Sequence, residues 1–150
     1  MSRFSTTPIT VPLPGGCQCP GQPHAQDETY LLPRLTFDGG AAAEAVINRH
    51  LSLSPMDTDA LGRDLVRAYL THQVAGWNLV TEDGTPLPYD PALLLSDWET
   101  ALAVGDRADD LYSEVLLAPL RVAVQKSLPA GPTGPSTSPR TSTASRPRKR

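Results

Sequence analysis

The chain has 150 residues, enough for one domain with a modest core, and 39% of them are hydrophobic. Its net charge of −3 hides an asymmetry: residues 1–127 hold eight Lys/Arg and all 16 Asp/Glu, whereas residues 128–150 hold five basic residues and no acid. An acidic body lacks the clustered cations that a nucleic-acid backbone demands, so nucleic-acid binding is not expected. The longest apolar runs, 92–95 and 115–120, are too short to span a bilayer.

Along the chain, residues 7–16 (TPITVPLPGG) show a short apolar alternation broken by prolines, compatible with an edge strand at most. Residues 28–37 (ETYLLPRLTF) form a second candidate strand, and the two could make a small ribbon around CQCPGQPH, residues 17–24. Gly39-Gly40 reads as a turn before the helix-favouring AAAEAVINRHL. Ser54-Pro55-Met56-Asp57 reads as a helix start with Ser54 as N-cap, Pro55 in the first position and Asp57 completing a capping box. Leu61, Leu65, Ala68, Tyr69 and His72 follow at spacings of three and four, which puts them on one apolar face and makes His72 a core or boundary residue. That pattern ends at Val74-Ala75-Gly76, and residues 77–88 (WNLVTEDGTPLP) predict a short hairpin or extended loop turning at Gly84. Asp90-Pro91 opens another helix, with Leu94, Trp98, Ala101 and Leu102 on one face and Gly105 as its end. Asp106-x-x-Asp109 opens a last helix carrying Leu111, Val115, Ala118 and Val122, with Pro119 expected to kink or divide it. Residues 128–150, rich in Pro, Ser, Thr and Arg, have too little apolar surface to offset the entropy of ordering.

The predicted fold is therefore mainly α: a small helical domain with a short N-terminal β ribbon and loop and a disordered C-terminal tail. Its segments are an extended arm (1–16), a mainly helical domain (17–127) and a disordered basic tail (128–150). No apolar run of a secretory signal stands at the N-terminus, so a cytoplasmic location is expected.

The densest chemistry lies in CQCPGQPH, which holds both cysteines and one of the three histidines. Cys17, Cys19 and His24 are suitable zinc donors, but a closed structural site needs four, so a fourth would have to come from His50, His72, Asp27 or a second chain. A C-x-C disulfide closes a small strained ring, and a Cys–His catalytic pair needs an orienting third group. Pro20-Gly21 followed by Pro23 is also strong turn chemistry, and cysteines serve as small buried hydrophobes, so a structured loop without chemistry is the simplest expectation. The chain has no Gly-rich phosphate loop, GxSxG, HExxH or EF-hand pattern. The acid pairs Asp57/Asp59, Glu82/Asp83 and Asp109/Asp110 sit at predicted helix starts or in a turn, where capping explains them. No enzyme is expected. Trp77 and Trp98, the largest apolar side chains, are expected in the core, with a partner surface the other use for one of them.

Residues 74–98, VAGWNLVTEDGTPLPYDPALLLSDW, resemble a stretch recurrent in tail assembly chaperones of long-tailed bacteriophages, in which an apolar-Trp-Asn segment, an acidic-Gly turn, Pro-Leu-Pro and a new helix follow one another. CQCPGQPH followed by DETYLLPRL and GGAAAEAVI, and ADDLYSEVLLAPL with a Ser/Thr/Pro/Arg tail behind it, are similar to actinobacteriophage members of that group. The resemblance implies a protein that binds the long, largely helical tape-measure protein and keeps it soluble while tail-tube subunits polymerise around it. It also implies residence in the host cytoplasm, absence from the mature virion, and a longer form made by ribosomal frameshift that would reach the tail-tube protein. Candidates for the client face are the stripes Leu61, Leu65, Tyr69 and Leu94, Trp98, Leu102, together with Trp77. In so small a domain the same residues are the first choice for the core. The other reading is a small zinc-stabilised virion module, such as a head–tail connector or minor tail component, in which CQCPGQPH holds the metal.

Overall fold

A computed structural model of the chain describes residues 4–127, with side chains of its last helix described through Pro119. The expected tail, 128–150, lies outside the described residues. The fold is mixed rather than mainly helical. A three-stranded antiparallel sheet in the order β1-β2-β3 joins β1 (Ile9–Pro12), β2 (Glu28–Leu31) and β3 (Val74–Trp77). The predicted ribbon is present, with Ile9 opposite Leu31 and Pro12 opposite Glu28. Its third strand is formed by Val74-Ala75-Gly76, expected only to end a helix, and Trp77, expected to open a hairpin or loop: Thr29 faces Trp77 and Leu31 faces Val74. Unpaired strand edges bind a further strand wherever one is available, and β3 covers the free edge of β2. Pro12 ends β1, the edge strand, and Pro8 and Pro14 flank it, where a missing N–H costs no ladder bond.

Four helices complete the described fold: α1 (Phe37–Leu51), α2 (Thr58–His72), α3 (Pro91–Leu95) and α4 (Trp98–Ser127). Val11, Leu13, Leu31, Ala43, Tyr69, Leu70, Leu94, Ala101, Val104, Ala108 and Tyr112 form one core between sheet and helices. Tyrosine hydroxyls fasten its edges: Tyr112 donates to the Leu32 carbonyl at 2.5 Å, and Tyr89 donates to the Leu70 carbonyl. Burial pushes the Tyr69 hydroxyl up to about 12, with Asp109 adding to the effect.

Several helix boundaries differ from those read along the chain. Gly39 and Gly40 are not a turn; α1 already starts at Phe37, because Thr36 caps it by accepting from the Gly39 N–H at 3.0 Å. The N-cap of α2 is Asp57, not Ser54, and its carboxylate accepts from the N–H groups of Asp59 and Ala60. His72 is exposed at the last position of α2, while Leu70, outside the expected stripe, is fully buried. The helix expected from Asp90 to Gly105 breaks after Leu95, and Asp97 starts a new one by accepting from the Thr100 N–H at 2.9 Å. That break resets the helical phase, so Trp98 leaves the Leu94 face and is 65% exposed. Gly105 and Asp106 lie inside α4, which continues through Pro119. Its buried face is Ala101, Val104, Ala108 and Tyr112; Val115 is exposed and Leu111 only half-buried.

On the outer side, Asp64 of α2 accepts from buried His50 at 2.8 Å and from Arg49 at 2.9 Å, both of α1. The His50 hydrogen bond, ahead of Arg49, holds the Asp64 carboxyl below its ordinary value. A carboxyl depressed in the folded state contributes stability that is complete above its unfolded pKa and is lost as pH falls through the folded one. Asp64→Asn is therefore expected to lower the urea midpoint at pH 7, and the gap to the parent should close as the pH is taken below the ordinary carboxylate value. A gap of equal size at both ends of that titration would contradict this pairing.

Candidate functional sites

The connection between β1 and β2, residues 13–27, contains no helix or strand, yet it is folded back on itself. Its root is closed by Leu13 N–H donating to the Asp27 carbonyl at 2.8 Å and by the Gln26 carboxamide donating to the Leu13 carbonyl at 2.6 Å. At its tip, Pro20-Gly21-Gln22 reverses the chain, with Gly21 at φ 75° and the Gln22 N–H bonded to the Cys19 carbonyl at 3.0 Å. A glycine adopts that left-handed conformation without steric cost. The reversal carries His24 back over Cys19, and the chain reaches Asp27 as β2 begins.

Cys17, Cys19, His24 and Asp27 converge as a result: one donor atom from each lies within 4.8 Å of all the others. Cys19 Sγ is 3.7 Å from His24 Nε2 and 3.4 Å from Asp27 Oδ1, and His24 Nε2 is 2.6 Å from the same Oδ1. Both cysteines are free thiols and buried, Asp27 is buried, and His24 is partly exposed. Asp27 Oδ2 is turned away from the cluster to accept the Gln18 N–H at 2.8 Å. Burial alone would raise the Asp27 carboxyl, but hydrogen bonds from the Gln18 N–H, His24 and both thiols outweigh it and hold the carboxyl below its ordinary value. The Cys19 thiol is pushed up, chiefly by burial and further by Asp27, against a hydrogen bond from the Val80 backbone. Of the candidates for a fourth donor, Asp27 joins the cluster, whereas His50 is bonded to Asp64 and His72 ends α2. The spacing C-x-C-x4-H-x2-D carries that signal, because the carboxylate stands at the point where loop becomes strand.

The apolar candidates divide. Leu61, Leu65 and Tyr69 of α2 and Trp98 and Leu102 of α4 line one groove of about 530 Å3 between the two helices. Leu61, Leu65 and Leu102 are half-buried, Tyr69 is its buried floor, and Trp98 stands exposed at one end. Asp59, Arg63, Asp106 and Asp109 also line it. Burial, with Asp110 and Asp106 nearby, pushes the Asp109 carboxyl up. Leu94 is instead 3% exposed in the core. Trp77 packs edge-on against Tyr89 at 4.9 Å and donates its indole N–H to the Leu87 carbonyl at 2.6 Å, which makes it a structural anchor.

Compared with protein-family models, with curated proteins and with solved structures, the chain matches none. Among the described residues, no helix is long and apolar enough to cross a membrane.

Proposed function

We propose that this chain is a tail assembly chaperone of a long-tailed bacteriophage, a non-catalytic protein that binds the tape-measure protein and keeps it soluble during tail-tube assembly. The observation that carries the reading is the groove between α2 and α4 with Trp98 exposed at its end. An apolar groove between two helices suits the apolar face of an amphipathic helix, and tryptophan is prominent among residues that dominate binding energy. The client implied by the resemblance is long and helical, so it offers many such faces. Asp59, Asp106 and Asp109 beside the groove suit basic positions flanking an apolar stripe. The order of motifs from CQCPGQPH to ADDLYSEVLLAPL supports the same reading. In this role the protein works in the host cytoplasm and leaves before the virion is complete, and a longer frameshifted form reaches the tail-tube protein. It requires no membrane, nucleic acid or catalytic cofactor.

Trp98→Ala is expected to reduce co-purification of the tape-measure protein about tenfold or more, because truncating an aromatic side chain that anchors an interface costs about 2 kcal/mol. Its thermal stability should change little, since the side chain is 65% exposed. Unchanged co-purification would remove the groove from the interface. Mass spectrometry should find the chain in infected-cell lysate and not in purified particles; stoichiometric presence in particles would assign a structural role instead.

A further inference from the structure

We propose that Cys17, Cys19, His24 and Asp27 bind one Zn2+ ion as a closed structural site that locks the β1–β2 connection onto the sheet. The inference does not depend on the client-binding reading.

The donor set points to zinc. Two thiolates, an imidazole and a carboxylate form a mixed soft and borderline set that hard ions such as Mg2+ and Ca2+ do not select. Tetrahedral zinc with bonds of about 2.3 Å to sulfur and about 2.0–2.1 Å to nitrogen and oxygen places its ligands roughly 3.3–3.8 Å apart. Cys19–His24 at 3.7 Å and Cys19–Asp27 at 3.4 Å already have that separation. Among these three residues the His24–Asp27 pair, at 2.6 Å, must open, exchanging its hydrogen bond for two bonds to the metal, and Cys17 lies within 4.8 Å of all of them. On binding, each thiol releases its proton to solvent, and the imidazole presents an unprotonated Nε2 and keeps its proton on Nδ1. With four protein donors no position remains for water, which makes the site structural rather than hydrolytic.

The surroundings are built as a metal site requires. The Gln18 N–H holds Asp27 Oδ2 and so aims Oδ1 at the cluster. A hollow beside Gly15, Gln18, Gln22 and Pro23, reaching Cys17 and His24, provides an entry path. A connection as long as 13–27 without regular structure is uncommon in a small domain unless something holds it, and a metal bound by residues 17, 19, 24 and 27 closes it at both ends. The zinc also reaches beyond the loop. Asn78, just after β3, donates to the Gln26 carbonyl at 2.9 Å and accepts from the Glu28 N–H at 2.7 Å, so order in the loop is coupled to the third strand.

The test uses the full chain without an affinity tag, purified without chelators. Elemental analysis is expected to give one zinc per chain. Cobalt substitution should give thiolate-to-cobalt charge-transfer absorption and the intense visible bands of a tetrahedral ion. Cys19→Ser should drop the zinc content several-fold, and Asp27→Cys should retain it with a stronger charge-transfer band. Because a variant can fail to fold, the parent is also stripped with chelator and melted with and without added Zn2+. The midpoint should rise with Zn2+ and not with Mg2+. Folded parent protein that purifies with far less than one zinc and shows no charge-transfer band on cobalt addition would overturn the site. So would zinc that persists in the Cys17→Ser/Cys19→Ser double variant, or a Cys17–Cys19 disulfide in the purified chain.

Discussion

Replacing Gln73 with Ala is expected to lower the melting temperature by on the order of 10 °C, a loss of about 3 kcal/mol. Gln73 has no exposed surface. Its Oε1 accepts from the Thr36 N–H at 3.0 Å and the Thr36 hydroxyl at 2.7 Å, and its Nε2 donates to the Arg34 carbonyl at 3.0 Å. The same residue closes α2 by donating its N–H to the Tyr69 carbonyl, and its own carbonyl receives the Leu32 N–H at 2.9 Å. One side chain thus joins the end of α2 to the cap of α1. Truncation leaves the Thr36 N–H and the Arg34 carbonyl short of partners and opens a cavity, and each such effect alone costs about 1–3 kcal/mol. Gly39→Ala should have a related effect, because a methyl there would stand 2.0 Å from Gln73 Oε1. A loss below about 1 kcal/mol for Gln73→Ala in urea unfolding would show that the carboxamide is not the clamp its bonds describe.

Gly105→Ala is expected to destabilise the domain, although alanine is the better helix former by about 1 kcal/mol. A Cβ at position 105 would stand 2.5 Å from Val66 Cγ2 and 2.8 Å from Cγ1, across the contact between α4 and α2. Val66 cannot turn aside at low cost, because a β-branched side chain has one strongly preferred rotamer in a helix. Overpacking of this kind costs about 1–3 kcal/mol, enough to outweigh the gain in propensity, and Gly105→Val should cost more. The decisive comparison is a double-mutant cycle. In a Val66→Ala background both clashing methyls are gone and only the Cβ at 3.2 Å remains, so Gly105→Ala should cost clearly less there, offset by its gain in helix propensity of up to about 1 kcal/mol. The same destabilisation in both backgrounds would place the strain elsewhere. Val66 and Gly105 line the groove together with Trp98.

Where local chemistry and tertiary environment agree, the chain was legible before folding. The ribbon of β1 and β2 around the cysteine loop, the Leu61–Leu65–Tyr69 face of α2 and the Asp90 cap of α3 all appear as expected. Gly39 and Gly105 look like helix breakers, yet what they supply is the absence of a side chain against Gln73 and Val66. Periodicity does not reveal a partner's proximity. Val74–Trp77 forms a strand because β2 offers it an edge, a non-local cause that a four-residue segment does not display. The break at Ser96 and Asp97 moved Trp98 from the expected core to the surface, since one changed helical phase re-aims every residue after it. In the cysteine cluster, three donors were evident from composition alone. Asp27 stood as one of several candidates because only the reversal at Gly21 shows which acid is carried to the thiols.

The most direct test of client binding is the soluble fraction of the tape-measure protein from the same genome, expressed alone and together with this full chain. Co-expression should move most of the client from the insoluble to the soluble fraction, and Trp98→Ala, equally abundant and equally folded, should fail to do so. A client that stays insoluble beside folded, zinc-replete chain would contradict the chaperone reading for this form of the protein. A client rescued equally well by the Trp98 variant would contradict the groove between α2 and α4 as its seat.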